Sequence, residues 1–283
     1  MTSISHLSEV ERWLNCYNTM ATDFGEHGLN IDFIRDLRPN HDTSAVGSPP
    51  LTYLTIPSPL AERAVRLCVL PLEDSADVVH SAIQVTQAIK ALLPAGTQVY
   101  ANAPERLHIT VFHMSRPDDP RPSSMTAHDE ALTAVPISNR RGPTDEEVAD
   151  ELAAMTSIVQ HMPPLEHLEV SSVVLTDTGT LLLCSIDRRA DITRLRHSLR
   201  AAFPGAPKKQ ANIIHTTLLR ILSPVQLPPA SRATIQKECD QWTERLRGTR
   251  LSFRKAWYVI ETVFSTIEGD QVEVVFGSAA AVE

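Results

Sequence analysis

Two five-residue runs, LHITV at 107–111 and IHTTL at 214–218, each set a histidine and a threonine two residues apart among apolar neighbours. On a strand the side chains at i and i+2 share one face, so each run would present an imidazole beside a hydroxyl. Ile109 and Thr216 between them would point the other way. What precedes each run is also alike: a β-rich apolar stretch, then a stripe of helical period, then the histidine run, over 65–111 and again over 180–218. This duplication of pattern, without identity of sequence, predicts an α/β (α+β) chain built from two strand-helix-strand modules.

The tripeptide alone is weak evidence. His-x-[Ser/Thr] occurs five times, where 11 histidines and 46 Ser plus Thr residues would yield about two by chance. A rigid site needs apolar residues on both flanks, because pairing and core contacts hold such a strand in place. His6/Ser8 reads as a helix cap, His41/Thr43 lies in a linker, and His113/Ser115 runs out into a proline-rich stretch. His108 with Thr110 and His215 with Thr217 remain. Strict alternation from His108 and His215 places His113 and Arg220 on the opposite face of their strands, which disfavours a metal pair of His108 and His113.

The remaining chain reads as support. Ser8 and Glu11 have capping-box spacing before a helix with Val10, Trp13, Leu14 and Tyr17 on one side, expected to pack on the body. Residues 39–59 are rich in Pro, Ser, Gly and Asn and read as a linker. The expected division is 1–60 as N-terminal helix and linker, with 61–283 as the main domain. Residues 115–143 carry five prolines and read as a long, mobile surface loop, after which Thr144 and Glu147 open another helix. Asp177, Thr178 and Gly179 make a tight turn between two strands, and 251–264 reads as one β-rich run. Lys208 and Lys209 read as a solvated turn, Trp242 as core, and Trp257 and Tyr258 as packing residues.

A net charge of −8 argues against long nucleic acid as the partner and leaves a small or terminal phosphate open. Cys16, Cys68, Cys184 and Cys239 form no CxxC pair and read as reduced thiols. With no signal-like start and no apolar run of ~18 residues, a cytoplasmic protein without a membrane anchor is expected. The oligomeric state is not legible.

The pair HITV and HTTL, about a hundred residues apart within the duplication, resembles the two signature motifs of the two-histidine (2H) phosphoesterase superfamily. That group includes RNA 2′,3′-cyclic phosphodiesterases and ligases, plant-type cyclic phosphodiesterases, 2′-5′ oligoadenylate phosphodiesterases and a 3′ trimming enzyme of a spliceosomal RNA. The resemblance covers about residues 61–276. It implies a bilobal fold with a central cleft and phosphoric diester hydrolysis with neither metal nor cofactor. Carried over, His108 and His215 match the catalytic histidines, and Thr110 and Thr217 the phosphate-contacting hydroxyls. Which histidine is acid and which base stays open. The expected substrate is a small or RNA-terminal phosphodiester, such as a 2′,3′-cyclic phosphate. A 3′ exonuclease, a 2′-5′ oligonucleotide phosphodiesterase, a non-catalytic nucleotide- or RNA-end-binding module and an interaction protein are the alternatives.

Overall fold

The apolar run before the first helix stripe forms β1 (Val65–Pro71), buried along its whole length as expected of a central strand. The structure is a computed structural model and describes residues 8–36, 63–126, 135–263 and 266–278. The expected linker at 39–59 and residues 127–134 of the expected loop lie outside these.

From β1 the chain enters α3 (Ala76–Leu92), after two N-terminal helices, α1 (Glu9–His27) and α2 (Ile31–Asp36). There follow β2 (Val99–Ala101), β3 (His108–Ser115), α4 (Asp145–Gln160), β4 (Leu165–Leu175), β5 (Thr180–Asp187), α5 (Asp191–Ala202), β6 (Ile214–Ile221), α6 (Pro229–Leu246), β7 (Arg250–Phe253), β8 (Lys255–Val263) and β9 (Glu268–Val275). Among the described residues the strands make one antiparallel sheet, ordered β7-β4-β5-β6-β3-β1-β8-β9, with β2 added on β6. The duplication takes shape as β1-α3-β3 and β5-α5-β6, whose final strands, β3 and β6, are neighbours at the centre. Each module's helix crosses over: α3 packs on α6 and on β6, while α5 packs on α4 and on β3. The two halves thereby share one core.

Helix α1 begins with the expected capping box, Ser8 and Glu11 exchanging hydrogen bonds. Its buried stripe of Trp13, Tyr17 and Phe24 belongs to the main core. Tyr17 reaches the strands themselves. Its hydroxyl lies 2.7 Å from the Ser185 carbonyl and accepts the Ile214 N–H at 3.2 Å, which bridges β5 and β6 one residue before His215.

Two expectations change, and one short strand was not expected. The run 251–264 breaks at Arg254, whose N–H donates to the Asp74 carboxylate at 2.9 Å; β7 then edges β4 while β8 pairs with β1. Strand β2 is too short to give a period. The described parts of the 115–143 segment are not a mobile surface loop, for Ser115, Arg121, Ser124 and Arg140 are buried. The cause is a charge pair beneath them. Arg66 on β1 and Glu151 on α4, both fully buried, meet at 2.7 Å and 2.9 Å. Arg66 also donates to the Arg121 carbonyl, while Glu151 accepts the Ser124 N–H and the Tyr258 hydroxyl. Residues 124–126 lie so tightly on Gly205 that a Cβ there would collide with the Thr126 carbonyl.

Candidate active site

Strands β3 and β6 meet at a single recorded pair, Ile109 with Thr216. One step outward along an antiparallel ladder, His108 stands opposite Thr217 and Thr110 opposite His215. The four residues picked out in the sequence thus form a two-by-two block on one face of the sheet. β1 flanks it with Pro71 and Val69, and β5 with Leu182 and Cys184. Beyond this block the strands part.

The strict alternation assumed for the flanks fails in both strands, each time at a bulge. Against β1, Val69 pairs with Thr110 but Cys68 pairs with Phe112, so Val111 is skipped. Leu67 then pairs with His113, which returns His113 to the face of His108 and Thr110. Against β5, Leu182 pairs with Thr217 but Leu181 with Leu219, so Leu218 is skipped and Arg220 returns to the face of His215. Both facing expectations are overturned.

Each bulge has a partner for its displaced backbone. Arg196 Nε donates to the Val111 carbonyl at 3.2 Å, and the Asn102 amide nitrogens donate to the Leu218 and Thr217 carbonyls at 3.0 and 2.8 Å. The two halves of the site are therefore His108-x-Thr110-x-x-His113 and His215-x-Thr217-x-x-Arg220, of equal spacing. That shared spacing was the signal available for His113 and Arg220.

His108 is held in one tautomer. Its Nδ1 lies 2.7 Å from the Arg106 carbonyl, which only accepts, so Nδ1 carries the proton and Nε2 keeps the lone pair in the neutral ring. Burial, with the Arg220 charge behind it, pushes the His108 imidazole down to about 4. Burial, then Arg220, His108 and Arg196, push His215 down to about 3. His113 is pushed to about 3 by burial first, then by Arg116, with both other histidines adding to it. The Nδ1 atoms of His113 and His215 are buried without a hydrogen-bond partner among the described residues. Arg220 donates to Thr180 Oγ1 at 3.1 Å, and Tyr100 on β2 is its cross-strand neighbour.

The site thus joins imidazoles able to hold or release a proton, hydroxyls able to donate, and a guanidinium that favours negative charge between them. With His113 now on this face, facing no longer argues against a metal pair. Among the described residues, however, no group of three His, Cys, Asp or Glu side chains is placed to hold a metal ion. Ser115 is structural, its hydroxyl donating to the Ala64 carbonyl at 2.6 Å. Nor is any described helix long and apolar enough to cross a membrane.

These imidazoles also make stability depend on pH. In the unfolded chain each titrates near its ordinary value of about 6.5, so between about pH 6.5 and 4 the unfolded state binds protons that the folded state does not. Stability is full above that window and falls as pH drops through it, by up to about 1.4 kcal/mol per pH unit for each histidine. Urea denaturation should give a lower midpoint at pH 5 than at pH 7. His113→Asn should flatten that difference, and an equal slope in the variant would count against a buried neutral His113.

No protein-family model matches the chain, and no curated protein matches it in sequence. Solved structures do. ATU0111, a conserved protein of unknown function from Agrobacterium tumefaciens, is 16% identical, with 87% of this chain and 98% of that one covered and a TM-score of 0.51. Usb1 of Kluyveromyces marxianus is 9% identical over 76% of this chain and 99% of its own, TM-score 0.44. Escherichia coli LigT, solved with phosphate, is 12% identical over 76% of this chain and 95% of its own, TM-score 0.39. The fold likeness rests on the first of these. In fold, the chain is therefore similar to ATU0111 along nearly the whole of that protein.

Proposed function

We propose that the chain is a phosphodiesterase that hydrolyses a small or terminal phosphodiester, such as a nucleoside or RNA 2′,3′-cyclic phosphate, with His108 and His215 as paired acid and base. The observation that carries this reading is the register of β3 on β6, which sets each histidine across from the other strand's threonine. A phosphate on this face would have an imidazole on either side. One neutral imidazole takes a proton from the attacking water as its oxygen bonds to phosphorus. The other, protonated, gives a proton to the 2′ or 3′ oxygen as its bond to phosphorus breaks. Thr110 and Thr217 donate to the non-bridging oxygens, and Arg220 offsets their growing charge.

Without a ligand, burial keeps both rings neutral at pH 7. The phosphate's own negative charge supplies what the protonated ring lacks, so substrate binding takes up a proton and kcat/KM rises toward acid pH. The acidic chain favours a small substrate over a long polymer.

A turnover panel in EDTA tests the reading, with uridine 2′,3′-cyclic phosphate, ADP-ribose cyclic phosphate and short RNAs ending in a cyclic phosphate. Ring opening to a monoester is expected for at least one. Inertness toward all of them from pH 5 to 8 would refute the proposal.

A further inference from the structure

On the far side of the β3–β6 seam, α1, α5 and the segment before β6 line an open cavity of about 510 Å³. Arg12, Arg196, His197, Arg200 and Lys208 line it, with Glu9 the one carboxylate. None of His108, Thr110, His113, His215, Thr217 and Arg220 lines it. Phe112, in its wall, points away from the face that carries His113, because the two are consecutive residues in regular register on β3.

In a chain of net charge −8, four permanent cations around one acid is a local reversal. The acid is also occupied, accepting the Thr193 hydroxyl at 2.6 Å. Arg196 donates to the Val111 and Ile213 carbonyls at 3.2 and 2.8 Å. Arg200 donates to the Ala206 and Pro207 carbonyls at 3.0 and 2.7 Å and lies over the Phe112 ring at 5.0 Å. Main-chain carbonyls fix these guanidiniums in place but do not neutralise them. Among the described residues, none of the four cations has an ion-pair partner within 4.0 Å.

Burial pushes the Arg196 guanidinium down to about 10, although Glu9, Tyr17 and Asp187 act the other way, and it pushes that of Arg200 in the same direction, so an added anion would be favourable at both. Each guanidinium has five N–H donors and spends two on carbonyls, which leaves a preset fork for a planar or tetrahedral anion. The cavity is of the size that holds a small ligand.

We propose that this cavity is a second anion site, apart from the histidine face of the sheet, that takes a phosphorylated small molecule bearing two to four negative charges.

Calorimetric titration with pyrophosphate tests it on the full chain, with no need of turnover. Binding should persist in the His108→Ala/His215→Ala double variant. It should weaken about tenfold in Arg12→Gln and again in Lys208→Gln, both exposed positions, and fall with added salt. Arg196→Gln is less informative, because that side chain also ties β3 to the start of β6. Pyrophosphate binding that vanishes with the histidines and ignores Arg12 and Lys208 would place the anion at the histidine face alone. That result, or no binding at millimolar concentration, overturns the second site while leaving the phosphodiesterase reading to its own assay.

Discussion

His108→Ala and His215→Ala should each lower kcat/KM by about 10²- to 10⁴-fold, the range over which positioned proton transfer accelerates a reaction. Because the two rings act in one step, the double variant should be little worse than either single one. Thr110→Val and Thr217→Val remove one donor each and should cost less than the histidines while leaving the pH profile in place. Folding should survive all four, since deleting an imidazole removes the cost of burying it neutral and Val suits a strand as well as Thr. Circular dichroism and urea midpoints would check that. Turnover that tolerates the loss of either histidine would mean that the chemistry lies elsewhere.

Glu151→Ala should be the most destabilising single change outside the site. Arg66 would be left fully buried with no counter-charge, a loss of about 3–5 kcal/mol. Tyr258 and the Ser124 N–H would lose their acceptor at the same time. Arg66→Met combined with Glu151→Met should recover most of this, because two apolar side chains of similar volume carry no desolvation cost. Loss of the pair should also free residues 116–126, so limited proteolysis in that segment should accelerate in Glu151→Ala and return toward the parent rate in the double variant. A change below about 1 kcal/mol would show that the pair does not anchor the segment.

The parts of the fold that local pattern controls were legible. The two capping boxes, the turn at Asp177–Gly179 and the repeated strand-helix-strand order all rest on residues within a few positions of each other. The facing of His113 and Arg220 was not, because counting by twos assumes an unbroken ladder. The groups that hold the bulges open are remote: Arg196 is 85 residues from Val111, and Asn102 is 115 from Thr217. The same holds for the 115–143 segment. Its prolines predict an irregular path correctly, but its anchors, Arg66 and Glu151, lie on β1 and α4 and announce nothing locally. Of the site, the two histidines and two threonines could be read from strand context, whereas the third histidine and the arginine needed the bulges.

In the proposed reading, two motifs about a hundred residues apart make one phosphate site. The most direct measurement is the titration of the imidazole nitrogen signals of His108 and His215 by NMR, without ligand and with uridine 2′-phosphate. Without ligand both rings should stay neutral down to about pH 5. With ligand both signals should shift together at one concentration, and the ring that takes up the proton should titrate at higher pH than before. A response at His108 or His215 alone, or at neither, would contradict a shared site.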